Sequence, residues 1–298
     1  MKRIVLCALG ALAAGVVANP AYAQAGCTRE RLVEVAEQYR AAQASGQAIM
    51  HMRPMGEWVN YNENFELSSM TYGGVIATPQ KVDWDRAFYD TTSCSVYVES
   101  IITNPEHPYV LATIVNSRGG TINGFDVIVA DQDDWLFNAE KTLYYAQRED
   151  WSEIPEARRN TREEIKAAAD AYLDLFKDKT AQVPWGTPCA RLEGSVYTGK
   201  GTAEDTCNVG VPENIDMTER RYVIDPAYGA VAVFLKMGPN KRPDAHVFRI
   251  EDGKIRFIHT ITNCKGDNNC GFTPFAEMVK RNPNMWPNLD HLPVVKPK

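Results

Sequence analysis

Two stretches of helical periodicity, each followed by strand-like alternation, organise this chain. In RLVEVAEQYRAAQASG, Leu32, Val35, Ala36 and Tyr39 recur at helical spacing, with Thr28 placed to start the helix and Gly46 to stop it. In EIKAAADAYLDLF, Ile165, Ala168, Ala169, Tyr172 and Phe176 fall on one side, and Thr161-Arg162-Glu163-Glu164 reads as a capping box. After each helix come short β-rich runs broken by Gly, Pro and Asn, closing in a pair of longer alternating strands. The closing strands TINGFDVI (Thr121 to Ile128) and KIRFIHTI (Lys254 to Ile261) align, which sets Asp126 at the place of His259. Helix-first order and this shared ending predict an internal duplication.

The charged, proline-bearing run REDWSEIPEARRNTREE separates the halves and reads as a linker whose end caps the second helix. The expected organisation is a leader over residues 1–23, a first domain over 24–150, a linker over 151–160, a second domain over 161–273 and a covering tail with one short helix over 274–298. DDWLFNAEKTLYYAQ (Asp133 to Gln147) is predicted as a helix closing the first half, with Leu136, Phe137, Leu143 and Tyr144 packing at the junction.

The hairpin DAHVFRIEDGKIRFIHTI has an apolar face interrupted by His246 and His259. With Asp252-Gly253 as a two-residue type I′ turn, Glu251 pairs with Lys254, Ile250 with Ile255, Phe248 with Phe257 and His246 with His259. That register puts both imidazoles on one apolar wall, at one level, about 5 Å apart at Cβ. One neutral ring would then serve as base while its neighbour donates a hydrogen bond. A pair of satisfied core histidines is the plain structural alternative. A metal triad with Glu193 ranks third, because no H-x-H or H-x-D spacing occurs.

Upstream, CARLEG alternates Cys189, Arg191 and Glu193 against Ala190 and Leu192. A solvated ion pair is the default for Arg191 and Glu193. If a disulfide to Cys207 draws Cys189 inward, both enter the cavity, where a guanidinium holds an oxyanion and a carboxylate orients a histidine. Tyr197 and Tyr222 are candidate hydroxyls, and Phe248 and Phe257 are candidate aromatic walls for a substrate. The first half, with Tyr61, Asn64, Trp84, Asp85 and Asp90, is equipped differently, so one active and one degenerate site is expected.

Composition narrows the setting. Lys2 and Arg3 precede a short apolar run and Ala21-Tyr22-Ala23, which predicts a secretory leader cut after Ala23 and a periplasmic or secreted protein. No later stretch is long enough to span a bilayer. Cleavage removes Cys7 and leaves six cysteines, which allow about 15 pairings. Proximity favours Cys189 with Cys207 and Cys264 with Cys270, leaving Cys27 for Cys94; zinc ranks lower, since no C-x-x-C pair occurs. A formal charge of −6 argues against nucleic acid or an anionic membrane as partner. No P-loop, dinucleotide fingerprint, nucleophile elbow or zincin motif occurs.

CTRERLVEVAEQY, DWLFNAEKTL, EDWSEIPE, AAADAYLDLF, VPWGTPCARLEG, RRYVID and GKIRFIHTI together resemble a group of secreted fungal and bacterial proteins with an uncharacterised domain. The resemblance implies an α+β fold: two tandem nuclear transport factor 2-like (SnoaL-like) domains, each a helix on a strongly bent antiparallel sheet that encloses a cone, forming a pseudo-dimer within one chain. The chain is also similar to bacterial γ-formaldehyde lyases of that superfamily, which act without a cofactor on lignin-derived phenolic dimers. No catalytic residue is carried over from them. The implied activity is a carbon–carbon lyase acting on a phenylcoumaran or diarylpropane through a quinone methide, with His246 and His259 as acid and base, Arg191 near the phenolate and Glu193 beside them. The alternatives are a dehydratase or isomerase of the same fold and a secreted protein that only binds a small molecule. A small aromatic substrate is the expected partner, and a homodimer is compatible with the pattern.

Overall fold

Helix capping sets the start of each half. The computed structural model describes residues 27–295, so the leader predicted over residues 1–23 and the last three residues lie outside the described residues. Thr28 accepts from the Arg31 amide and opens α1 (Arg29–Ser45), which stops where Gly46 turns left-handed at φ 67°. A short α2 (Ala48–His51) follows. Thr161 and Glu164 form the reciprocal capping box that opens α4 (Arg162–Asp174). Between them, α3 spans only Ala139–Ala146. The longer helix predicted from Asp133 is cut short because Asn138 caps it by accepting from the Lys141 amide, while Leu136 sits at φ 60°.

Each helix rests on a six-stranded mixed sheet. The first sheet consists of β1 (Met55–Glu63), β2 (Glu66–Leu67), β3 (Trp84–Asp90), β4 (Ser95–Ile102), β5 (Tyr109–Arg118) and β6 (Thr121–Ala130), in the order β2-β1-β6-β5-β4-β3. The second consists of β7 (Trp185–Glu193), β8 (Val196–Tyr197), β9 (Met217–Asp225), β10 (Ala230–Met237), β11 (Arg242–Glu251) and β12 (Lys254–Thr262), in the order β8-β7-β12-β11-β10-β9. The order is the same, and so is the one parallel pairing in each, β1 with β6 and β7 with β12. Asn62 faces Asp126 as Leu192 faces His259, so Asp126 and His259 occupy corresponding positions. The architecture is α+β, built from two such units. A short α5 (Phe275–Arg281) lies in the segment after them.

Three apolar layers hold the units together. Leu32, Val35, Ala36 and Tyr39 of α1 pack on the first sheet, and Ile165, Ala169, Tyr172 and Leu173 of α4 pack on the second. The opposite faces of the two sheets meet through Phe88, Tyr97, Ile114, Ile128, Val223, Phe234, Val247 and Ile261.

The meeting is reciprocal. Arg29, first residue of α1, donates through both terminal nitrogens to Asp225 at the end of β9, at 3.0 Å each. Arg162, first residue of α4, does the same to Asp90 at the end of β3, at 2.8 and 2.9 Å. Asp225 also accepts from the Tyr89 amide, and Asp90 from the Ile224 amide. Arg86 of β3 reaches His259, and its counterpart Arg221 of β9 reaches Asp126. The two units thus use matching patches on each other, as in an isologous dimer.

Three disulfides close loops: Cys27–Cys94, Cys189–Cys207 and Cys264–Cys270. They mark an extracytoplasmic chain. Among the described residues no helix is long and apolar enough to cross a membrane.

The predicted register of the last hairpin holds for only two pairs. Glu251 faces Lys254 and Ile250 faces Ile255, but Arg249 then faces Phe257, Phe248 faces Ile258, Val247 faces His259 and His246 faces Thr260. Arg256 is an extra residue on β12, a β-bulge, and a slip of one residue moves every later side chain to the other face. Asn123 makes the matching bulge on β6. His246 and His259 are therefore not partners on one wall: the sheet lies between them.

Candidate functional site

The bulge sends His246 to the helix-covered face of the second sheet. There it is 1% exposed, among the rings of Tyr172, Phe176 and Phe248 at 5.7, 5.9 and 6.0 Å. Asp244, two residues earlier on the same face, meets His246 Nδ1 at 2.5 Å. Thr262, across from Asp244, donates its hydroxyl to the other carboxylate oxygen at 2.5 Å. Thr260 stands across from His246, and Glu193 across from Thr260 on the parallel neighbour β7. One row of side chains therefore runs His246, Thr260, Glu193 over three strands.

Arg191 completes the set. The disulfide holds Cys189 in the core, and the alternation of β7 brings Arg191 and Glu193 in behind it. Arg191 Nε donates to Glu193 at 2.7 Å, its Nη1 donates to the Gly210 carbonyl at 2.7 Å, and the guanidinium lies 5.6 Å from the Tyr172 ring centre. Burial alone would raise the Glu193 pKa, but Arg191 and then His246 hold it below the usual value. Burial, and next to it the Glu193 charge, pushes the Tyr172 hydroxyl well above the usual range, so it remains a proton donor. Tyr172 Oη donates to Glu193 at 3.4 Å.

In the neutral ring, a hydrogen on Nδ1 shared with Asp244 makes Nε2 the free acceptor. Nε2 is buried and has no hydrogen-bond partner among the described residues. Nearly all buried polar atoms are paired, so such an atom needs a reason.

The first half supplies a control at the same positions. Strand pairing makes Leu111, Thr113, Val127 and Val129 the counterparts of Asp244, His246, Thr260 and Thr262, and Tyr61 and Glu63 the counterparts of Arg191 and Glu193. Tyr39, matching Tyr172, shares a hydrogen bond with Thr113 Oγ1 at 2.8 Å. Tyr61 donates to Glu63 at 2.6 Å, and the Val75 amide does so at 2.5 Å. The same fold is thus packed with ordinary core in one half and carries a His–Asp pair in the other.

His259 lies on the opposite face, against the first sheet. Its Nδ1 meets Glu99 at 2.8 Å, its Nε2 meets Glu149 at 2.6 Å, and Trp151 lies edge-on at 5.5 Å. Arg86 adds a contact to Glu99 at 3.2 Å and stacks on Trp151 at 3.7 Å. Burial would lower the His259 pKa, but Glu99 and Glu149 raise it to about 9. Burial would raise that of Glu99, but His259 and Arg86 hold it at about 2. This is a sealed ion cluster between the units.

Of the residues predicted for the site, Arg191, Glu193, His246 and Phe248 come together under α4. His259 and Phe257 go to the other face, Phe257 stacking on Trp151 at 5.7 Å. Tyr197 also faces that way, flat on Tyr145 at 4.5 Å. Tyr222 is on the α4 side but donates to Asp170 at 2.7 Å. The separation of the two histidines also undoes the metal triad with Glu193. Asp244, Tyr172, Thr260 and Thr262 were not predicted for the site. The readable signal for Asp244 was D-x-H in a strand, a spacing that puts both side chains on one face.

A recess touches this cluster through Glu193, Thr260 and Thr262, with Trp135, Phe137 and Thr142 beside them. It holds about 30 Å³, room for about one or two waters.

Residues 158–262 match the model of a family described only as a domain of unknown function, DUF8021. That span begins just before α4 and ends with β12, so it contains the whole His246 cluster. No curated protein and no solved structure matches the chain.

Proposed function

We propose that this protein is an enzyme whose active site is the α4-covered face of the second unit, and that it is a lyase working by proton transfer. The observation that carries this is the internal contrast: Leu111 and Thr113 in one half, Asp244 and a His246 with an unpartnered Nε2 in the other. His246 is the general base, Asp244 its orienting carboxylate, Arg191 the cation for a developing oxyanion and Tyr172 the proton donor. Tyr172 supplies the second of the two proton-transfer roles first expected of His246 and His259 as a pair.

In its specific form the proposal is a nuclear transport factor 2-like tandem protein, periplasmic or secreted, that acts on a phenolic dimer. The phenolate expels the α-oxygen substituent, which takes a proton, and a quinone methide results. His246 then removes the γ-hydroxyl proton, the Cβ–Cγ bond breaks to release formaldehyde, and its electron pair restores the aromatic ring and leaves a stilbene. The small recess favours a second reading, a dehydratase or isomerase on a smaller substrate, using the same base.

Incubation with phenylcoumaran and diarylpropane dimers is expected to release formaldehyde, measured by trapping, with a stilbene seen by mass spectrometry. No formaldehyde from either dimer would sink the lyase assignment. Tight binding without product would favour a binding protein instead.

A further inference from the structure

The two units differ in a second place, on the outer face of β1. Val59 and Tyr61 pack inward against α1's core, so Trp58, Asn60 and Asn62 alternate outward. Asn60 lies across from Gly124 and Asn62 across from Asp126. Asn116 lies beyond Gly124 on β5, and Leu67 beyond Asn62 on β2. Arg221 arrives from the second unit and donates to Asp126 at 2.6 Å, with its side chain still 46% exposed.

The matching stripe of the second unit is apolar and covered: Ala190, Leu192, Phe257 and Tyr197 lie under Tyr145 of α3, under Trp151, and under the tail, whose Met285 carbonyl accepts from the Tyr197 amide. Among the described residues the first carries no such cover over Trp58 and Leu67, and only its Asp126 end is buried, beneath Arg221. Trp58 is 87% exposed and Leu67 81% exposed. A Cβ on Gly124 would meet only ordinary contacts, 3.7 Å from the Asn60 carbonyl and 3.9 Å from Asn116. Its lack of a side chain therefore answers no steric demand and leaves a flat floor between the asparagines.

We propose that this stripe binds a neutral saccharide chain. Trp58 offers an aromatic face to the C–H side of a sugar ring. Asn60, Asn62 and Arg221 offer amide and guanidinium groups, the planar donors and acceptors that vicinal hydroxyls match. Asp126 is already set by Asn62 at 3.2 Å, Asn116 at 3.5 Å and Arg221, so the constellation exists before a ligand arrives. Asn60 to Asn62 run in regular register with β6, and Trp58 extends the stripe from the bulged stretch just before them. A second protein chain is disfavoured because the centre of the stripe is asparagine, glycine and charge rather than an apolar core.

Calorimetric titration of the intact protein with cellohexaose, xylohexaose and mannohexaose tests this. At least one should bind, and Trp58→Ala and Asn62→Leu should each weaken it about tenfold or more. Trp58 is a surface residue, so its variant should melt like the parent. No heat with any of the three sugars would overturn the proposal, as would variants that bind like the parent. So would a parent dimer, seen by sedimentation, that Trp58→Ala dissolves.

Discussion

Alanine at His246 is expected to slow turnover of whichever substrate proves active by about 10²–10⁴-fold, the usual contribution of a positioned general base. Tyr172, Phe176 and Phe248 surround the ring on the apolar side, so the substitution also leaves a small cavity and an unpaired Asp244 beside Thr262. Asp244→Asn separates the two effects. It keeps shape and burial, but it replaces the carboxylate that meets Nδ1 with an amide, so it should lower the catalytic constant while leaving the melt closer to that of the parent. Both variants should be checked by circular dichroism before rates are compared. Turnover unchanged in both variants would remove the active site from this face, for the lyase and the dehydratase readings alike.

Leucine at His259 is expected to cost stability, by about 3–5 kcal/mol, because it leaves the buried Glu99 and Glu149 facing one cation, Arg86, and two neutral donors, Tyr97 and Trp151. Denaturant titration measures the loss. The same cluster dictates a pH profile. The His259 pKa is raised from 6.5 to about 9, so its contribution is complete below 6.5 and disappears as pH rises through about 9. The Glu99 pKa is lowered from 4.5 to about 2, so its contribution is present above 4.5 and disappears as pH falls toward about 2. Melting temperatures of the parent should therefore decline between pH 6.5 and 9.5, and His259→Leu should flatten that alkaline limb. An equal decline in parent and variant would show that His259 carries no net charge in the fold.

What was legible in the sequence was local. Thr28, Gly46 and the Thr161–Glu164 box act within one turn of their helices, and the three disulfides follow from spacing once the count is even. The pairing of Asp126 with His259 as counterparts was legible because the two closing strands carry the same bulge at the same distance from their starts. The bulge itself was not. Arg256 looks like any outward residue of an alternating strand, yet it is the residue that sends His259 away from His246. Arg191 and Glu193 turned on a conditional, whether Cys189 is drawn inward, and the disulfide settled the orientation of the strand. Contacts such as Arg29 with Asp225 join residues 196 positions apart, and no local pattern announces them.

The seam between the units has one further consequence. In a dimer of identical subunits a residue placed beside the axis is met again on the other side, so a histidine held by two glutamates would come twice, and so would an arginine over an asparagine-lined groove. Here Arg86 and Arg221 are mirror positions with different duties, one sealed against His259 and the other half open at Asp126. Joining the two copies end to end released each from the obligation to match, so that a mutation useful on one side no longer had to be tolerable on the other.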